Sequence, residues 1–202
     1  MAIQYNFSNM LELFSVMSPF LLVFFLIMSS IFNQNLKGLV YLAGLLIAVV
    51  INIFLMGQIK SPKLPDAAMS CEFAGLPILT GYNSPAPTSL VIAFTIAYLV
   101  LPMKYNNQMN YVILTALLCL FLLDAITKVN KKCTTGGGSF LGALVGFLLG
   151  LMWYTLFHTS GYDSLLYFGE LQSNNVVCKR PSKQSFKCSV YKNGELISSS
   201  TV

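Results

Sequence analysis

The sequence predicts an all-α integral membrane helix bundle of about five transmembrane helices, followed by a small C-terminal β-hairpin module outside the bilayer. Two observations lead to this prediction. Of the 202 residues, 55% are hydrophobic and only 9% are charged, whereas soluble domains carry about 25% charged residues. The apolar residues also fall in blocks close to the ~20 residues that a helix needs to cross the hydrocarbon core.

Five apolar blocks within residues 1–161 are the predicted transmembrane helices. The first contains Pro19 near its first turns, where a transmembrane helix tolerates proline, and the third is the shortest and is closed by Pro102. Asp124 brings a charge into the fourth block. Lys128 follows it by one turn, so we expect a local ion pair, although an ionisable residue in a span is otherwise a functional candidate. The predicted spans are 13–32, 38–57, 88–103, 109–126 and 139–158.

The fifth block, GGGSFLGALVGFLLGLMWY (136–154), has a glycine at every fourth position, although glycine destabilises a helix by about 1 kcal/mol relative to alanine. Residues four apart share one face of a helix, and small residues let transmembrane backbones approach closely. We therefore predict a helix-packing surface, which serves either another helix of the same bundle or self-association into a homo-oligomer. The residues of this glycine face are Gly138, Gly142, Gly146 and Gly150.

Residues 162–202 form a separate C-terminal segment, which is polar and contains no apolar block that could span a membrane. Two β-prone runs, 175–178 and 185–191, flank the sequence KRPSK and predict a hairpin, and Asn193-Gly194 offers a second turn. Basic and aromatic residues here predict contact with an acidic partner or with lipid headgroups. A hairpin that is merely solvated is the alternative. The predicted contact residues are Lys179, Arg180, Lys183, Phe186, Lys187 and Tyr191.

Membrane topology limits how the cysteines can pair. Five spans place Cys71 and Cys133 on one face of the membrane, and Cys178 and Cys188 on the other. A Cys178–Cys188 bridge across the predicted hairpin is one expectation, and a Cys71–Cys133 bridge is a less strongly indicated one. Cysteines on a face that lies in the reducing cytosol are instead expected to be free thiols. Cys119 lies within the fourth block and is interpreted as a packing residue.

Charge does not decide the membrane orientation. Without the C-terminal segment, one face carries five lysines and the other two, which favours a cytoplasmic location for the first face. The C-terminal segment adds five basic residues to the second face and nearly cancels this bias. No histidine lies near the cysteines in the sequence, so neither a metal nor a cofactor is expected. The single histidine, His158, is interpreted as a polar anchor at the membrane edge.

The order of three segments resembles the motif order of type 2 phosphatidic acid phosphatases, over roughly residues 55 to 158. The segments are KSPKLP (60–65), SPAPTS (84–89) and TKVNKKCTTGGGSFLGALVG (127–146). That family uses a histidine nucleophile, a second histidine as acid, and arginines that bind the phosphate. The resemblance therefore implies a related helix order and motifs that meet on one face of the membrane.

The catalytic residues of that family have no counterparts in this sequence. Thr88 stands where the second motif has histidine, and Cys133 or Thr134, with Gly138, stands where the third motif has histidine and aspartate. The only arginine, Arg180, lies in the C-terminal segment. The resemblance thus implies a catalytically inactive version of the bundle, and we predict that the chain has no catalytic residues and is not an enzyme.

The C-terminal sequence FGELQSNNVVCKRPSKQSFKCSVYKNGEL (168–196), behind a five-span bundle, resembles membrane proteins of nucleocytoplasmic large DNA viruses. Similar proteins in that group are structural components of the internal membrane beneath the capsid shell. The resemblance is best over 120–196 and implies a minor capsid type of protein. It would lie in the internal membrane of the virion, and in host endomembranes during assembly. Its partners would be the lipid bilayer and capsid or other virion proteins.

Three functions follow from these observations. The first is a structural anchor that links a viral internal membrane to the capsid shell through the C-terminal segment. The second is a lipid phosphatase with altered chemistry, which would use Thr88, Cys133 or Asp124. The third is a channel, which would have to be oligomeric because the spans carry few polar groups and no polar stripe. Nucleic acid is not an expected partner, because few aromatic residues are interleaved with the basic ones.

Overall fold

Five long helices make up most of the described chain. The structure is a computed structural model that describes residues 7–64, 67, 71, 82–167, 187–192 and 195–201, with the backbone alone for 7–9 and the last two segments. The helices are α1 (Phe7–Phe32), α2 (Lys37–Ile59), α3 (Pro87–Tyr105), α4 (Tyr111–Asn130) and α5 (Gly136–Thr159). Each helix is long and apolar enough to cross a membrane. The prediction of an all-helical bundle with five helices able to span a membrane is therefore confirmed.

Most helix ends extend beyond the predicted apolar blocks, because polar residues there continue or cap the helices. The start of α4 lies inside its block instead, since the predicted block begins at 109 and the helix at Tyr111. The side chain of Asn110 accepts a hydrogen bond from the Ile113 amide at the start of α4, and Thr135 caps α5. Pro102 does not close the third span as predicted, since α3 continues to Tyr105. Proline removes only its own N–H from the helical ladder, so the residues that follow it can still complete the last turn.

Helix α3 is the central element of the bundle. Within its apolar stretch 67% of the residues are buried, compared with 17% to 33% in the other four helices. It is also the least hydrophobic of the five, because it carries small and hydroxyl residues such as Ser89, Ala93 and Thr95. These residues allow its neighbours to approach closely, so α3 is surrounded by protein rather than by lipid. Its contact with α5 is the most extensive between any two described elements.

The outer four helices present large apolar side chains away from α3. Phe25 on α1, Phe54 on α2, Val112 on α4 and Phe140 on α5 are all more than 60% exposed. Monomeric soluble proteins rarely expose apolar surface this extensively. A surrounding lipid phase accounts for these residues, because it is as apolar as the side chains themselves.

The two ends of the bundle carry different connections. At one end, here called the disulfide end, Cys71 of the α2–α3 connection is bonded to Cys133 of the α4–α5 turn. At the other, the tail end, the short α1–α2 turn is held by Ser30, whose hydroxyl accepts a hydrogen bond from the Gly38 amide at 2.8 Å. A 3-10 helix (Asp163–Leu165) follows α5 at this tail end.

Two strands lie beyond the helices. The backbones of β1 (Lys187–Lys192) and β2 (Glu195–Thr201) pair antiparallel, with Lys187 opposite Thr201 and Lys192 opposite Glu195. Asn193 and Gly194, which separate the strands, are outside the described residues, as is the run 175–178 of the other predicted strand. A C-terminal hairpin module outside the bilayer therefore stays a prediction.

Candidate functional site

The most polar part of the helical interior is centred on Asp124 of α4. This side chain is fully buried. Its Oδ1 accepts a hydrogen bond from the Ser15 hydroxyl of α1 at 3.1 Å, and its Oδ2 accepts one from the Thr88 hydroxyl of α3 at 2.9 Å. One carboxyl group therefore connects three helices, each of which supplies one residue to the arrangement.

Two lysines and a second carboxylate complete this polar cluster, which we define as Glu12, Ser15, Thr88, Asp124, Lys128 and Lys131. Lys128 lies one turn after Asp124, is buried, and interacts electrostatically with both Asp124 and Glu12. Lys131 forms an ion pair with Glu12 at 2.5 Å. Burial of a charge is costly unless an opposite charge or hydrogen bonds compensate it. The two acids and two bases balance one another, so the cluster has the composition of a neutral structural network.

The polar cluster borders a narrow crevice instead of a substrate-sized pocket. The crevice has a volume of about 150 Å³, including the space open to its surroundings, and no part of it has room for a water molecule. Pockets that bind small molecules usually enclose about 300–1,000 Å³. Within the part of the chain that the structure describes, this crevice beside the cluster has no room for a substrate.

The two segments that resemble the second and third phosphatase motifs meet at the disulfide end. Asn83, which immediately precedes the first of them, is bonded to the second, because its backbone carbonyl accepts a hydrogen bond from the Thr134 hydroxyl at 2.7 Å. Its side-chain oxygen also accepts one from the Thr135 amide at 3.2 Å. One turn into the helices, the hydroxyls of Ser89 and Ser139 are 2.8 Å apart. The fold thus brings together the positions that would carry catalytic groups in that family.

Each of those positions is occupied by a residue that makes a structural contact. Thr88 donates to Asp124, and Thr134 donates to the Asn83 carbonyl. Cys133 is bonded to Cys71, with a Cα–Cα distance of 5.0 Å. Gly138 accepts a backbone hydrogen bond from the Ala86 amide at 3.0 Å. No histidine or arginine lies in these segments.

The glycine face of α5 lies against α3 and the residues just before it. A Cβ atom on Gly142 or Gly146 would collide with the backbone of Ala86 or Leu90, and one on Gly150 would lie 2.6 Å from the Phe94 carbonyl oxygen. Gly138 is likewise enclosed, by Thr134, Asn83 and Ser84. The partner of this face is therefore a helix of the same chain.

An aromatic cluster at the tail end was not predicted from the sequence. Tyr98 of α3 lies between Tyr41 and Tyr154, with ring centroids 5.4 Å and 6.4 Å away. The Tyr41 hydroxyl is 2.6 Å from that of Thr95. The recurrence of tyrosines near the ends of the apolar blocks was the available signal, because tyrosine is enriched at the membrane interface. That pattern predicts interfacial rings and does not indicate that they pack together inside the bundle.

His158 lies at the tail end, and the remaining predicted residues follow it in the sequence. The His158 Nδ1 atom lies 2.6 Å from Oδ1 of Asp163, and the imidazole ring lies against Tyr105. Of the predicted contact residues, Lys187 and Tyr191 lie in β1, where the backbone alone is described. The other contact residues are outside the described residues. For the predicted Cys178–Cys188 bridge, Cys188 lies in β1 and Cys178 is outside the described residues. These outside contact residues are Lys179, Arg180, Lys183 and Phe186.

Neither a metal centre nor a known relative adds to this description. Within the part of the chain that the structure describes, no three histidine, cysteine, aspartate or glutamate side chains are grouped so that they could hold a metal ion. No protein-family model, no curated protein sequence and no solved structure matches this chain. The resemblances to membrane phosphatases and to viral membrane proteins therefore remain expectations from sequence, and the function has to be argued from the site itself.

Proposed function

We propose that this chain is a structural membrane protein of the minor capsid type, which links the internal membrane of a virion to the capsid shell. The five helices hold the protein in the bilayer. The basic C-terminal segment extends from the tail end and binds a capsid or other virion protein. The proposal assigns no catalytic role to any residue.

A single observation carries the structural part of this proposal. The positions where a related phosphatase would carry its catalytic groups hold Thr88, Cys133, Thr134 and Gly138, and each is engaged in a contact between segments of the bundle. A reacting site needs groups that face a space where substrate can bind. Here the same positions connect α3 to α4 and α5 and join the α2–α3 connection to the α4–α5 turn, which supports a scaffold function.

The binding part of the proposal is supported by the chemistry of the C-terminal segment. This segment holds five of the 12 basic residues of the chain, and the sequence KRPSKQSFK concentrates four of them between 179 and 187. Clustered charge attracts an acidic surface over some distance. Phe186 and Tyr191 add aromatic groups of the type that dominates the binding energy of protein interfaces. The partner is therefore expected to offer an acidic surface with an apolar recess.

The test is incorporation into virus particles. We expect the chain to be present in purified particles at a fixed ratio to the major capsid protein. The double charge reversal Lys179→Glu with Arg180→Glu should reduce that ratio several-fold. Lys60→Glu with Lys63→Glu is the matched control, because it makes the same change in charge at the disulfide end. Absence from particles, or equal incorporation of the wild type and the C-terminal variant, would contradict the proposal.

A second candidate is a lipid phosphatase with altered chemistry. The meeting of segments 84–89 and 127–146 at one end of the bundle favours it, because the resemblance to phosphatases predicts this arrangement. Such an enzyme would need a new nucleophile. Cys133 cannot serve while it is bonded to Cys71, which leaves the Thr88 hydroxyl or the Asp124 carboxylate. Release of phosphate from phosphatidic acid, lost on Thr88→Ala, would be its signature.

A further inference from the structure

The cysteines outside the membrane-spanning blocks fall into two groups along the sequence, one before the last helix and one after it. Cys71 lies in the α2–α3 connection and Cys133 in the α4–α5 turn, and the two are bonded at the disulfide end. Cys178 and Cys188 follow the last helix in the sequence. Disulfides form and persist in oxidising compartments, whereas cytosolic thiols are kept reduced. The two pairs therefore experience different redox conditions if the membrane separates the cytosol from an oxidising space.

The start of the C-terminal segment lies at the end of the bundle opposite the disulfide. The hydroxyl of Tyr167, just after the 3-10 helix, donates a hydrogen bond to the Leu26 carbonyl in the second half of α1. The polar cluster near the start of α1 lies instead at the disulfide end, since Glu12 pairs with Lys131. Because five is an odd number of membrane crossings, the segment after α5 and the segment before α1 must lie on opposite faces of the membrane. No apolar block after Tyr167 is long enough to bring the chain back across.

We propose that the disulfide end faces an oxidising compartment, such as the lumen of the secretory pathway, and that the C-terminal segment lies in the cytosol. It follows that Cys178 and Cys188 are free thiols and do not form the bridge that the sequence suggested. The bonded pair settles which face is oxidising, a question that the lysine count left open. This topology does not depend on the proposed virion function.

The basic residues are divided almost evenly between the two ends of the chain. Five of the 12 basic residues belong to the disulfide end, and the other seven belong to the tail end, where the C-terminal segment contributes five. Of those five at the disulfide end, Lys128 is buried beside Asp124, and the partly exposed Lys131 pairs with Glu12.

The positive-inside rule counts basic residues within about 15–20 residues of a span, and Lys183, Lys187 and Lys192 lie farther than that from the end of α5. Charge therefore does not decide between the two orientations, and the bonded cysteines carry the proposal. A basic segment on the cytosolic side would face the more anionic lipid leaflet.

One consequence concerns the partner and rests on the proposed function. If the C-terminal segment binds a virion protein, it meets that protein on the cytosolic side of the membrane. The capsid component should then be recruited from the cytosol to the membrane surface. A partner that is itself confined to the lumen is excluded by this topology.

Glycosylation mapping in sealed microsomes tests the orientation. The same short extension with an Asn-Gly-Thr acceptor is added either before Met1 or after Val202. Both versions also carry Asn6→Gln, which removes the natural glycosylation acceptor Asn6-Phe7-Ser8. We expect the N-terminal version to be glycosylated and the C-terminal version to remain unmodified. Glycosylation of the C-terminal version, or of neither version, would overturn the proposal. The result is independent of any virion partner, so it can fail while the proposed function stands.

Thiol counting provides a second measurement on the full chain. A membrane-impermeant maleimide added to intact microsomes should attach two tags, and the double change Cys178→Ser with Cys188→Ser should abolish both. After denaturation without reductant we expect three of the five cysteines to react, and after reduction all five. If Cys178 and Cys188 react only after reduction, or remain protected until the membrane is opened, the assignment is wrong.

Discussion

Asp124 places a carboxyl group inside a helix that is otherwise apolar over its central turns, and the structure explains why this is tolerated. Ser15 and Thr88 satisfy its two oxygens, and Lys128 supplies opposite charge one turn away. Without such partners, burial of a carboxylate costs several kcal/mol. Ser15 on α1 and Thr88 on α3 therefore help α4 to cross the membrane with an acidic residue.

Asp124→Asn should destabilise the bundle by about 3 kcal/mol, because it removes one of the two carboxylates that compensate the buried Lys128. The measurement is thermal unfolding in detergent, followed by circular dichroism. The double variant Asp124→Asn with Lys128→Met should recover much of the loss, since it removes the incompletely compensated charge as well. Equal stability of the wild type and the single variant would show that the pair contributes nothing to the fold.

Thr88→Val tests one hydrogen bond of the same cluster. Valine keeps the shape of the side chain and removes the hydroxyl that donates to Asp124. We expect a loss of about 1–3 kcal/mol, typical for a buried acceptor that loses a partner. Thr115→Val on the exposed face of α4 is the matched control, because its hydroxyl bonds only to its own helix. If both variants lower the unfolding midpoint equally, the contact with Asp124 is not the cause.

At the scale of elements, the close contact of α3 and α5 depends on the absence of side chains along the glycine face. The carbonyls of Ala86, Leu90 and Phe94 occupy the space where Cβ atoms would stand on successive turns of α5. Small residues also line α3, so the two backbones approach more closely than leucine-lined helices can. No hydrophobic force holds helices together in lipid, so close packing of the two backbones is the source of stability here.

Gly146→Ala should therefore destabilise the bundle by about 1–3 kcal/mol through overpacking, although alanine is the better helix former. Gly57→Ala in α2 is the control, since no atom lies within 4 Å of the position its Cβ would take. Helix propensity alone should make the control neutral or stabilising by up to about 1 kcal/mol. The check is the unfolding midpoint of each variant in the same detergent. A stable Gly146→Ala variant would mean that α5 does not contact α3 in this way.

At the scale of the whole molecule, hydropathy was sufficient to predict the five spanning helices. The thickness of a bilayer sets the length of each block, so α1 to α5 can be found without knowledge of their neighbours. The central position of α3 could not be found in this way, because its short and less apolar block looks like the weakest span. The less apolar composition of α3 is explained by its burial among the other helices. That burial depends on how the helix surfaces fit together.

The contents of the site were predictable only in part. The spacing of Asp124 and Lys128 indicated an electrostatic pair, but Ser15 lies 109 residues before Asp124 in the chain, and no local pattern connects them. The glycine spacing indicated a packing surface without identifying α3 as its partner. The Cys71–Cys133 bridge was one of two pairings that topology allowed, and the connection that contains Cys71 has no periodic pattern from which its path could be read.

The central claim is that the buried polar groups hold the helices together and perform no reaction. The most direct measurement is phosphate release by the purified chain, reconstituted in vesicles that contain phosphatidic acid, beside Thr88→Val and Asp124→Asn. We expect all three proteins to release no more phosphate than empty vesicles, and both variants to unfold at a lower temperature than the wild type. Release by the wild type that disappears in either variant would contradict the claim.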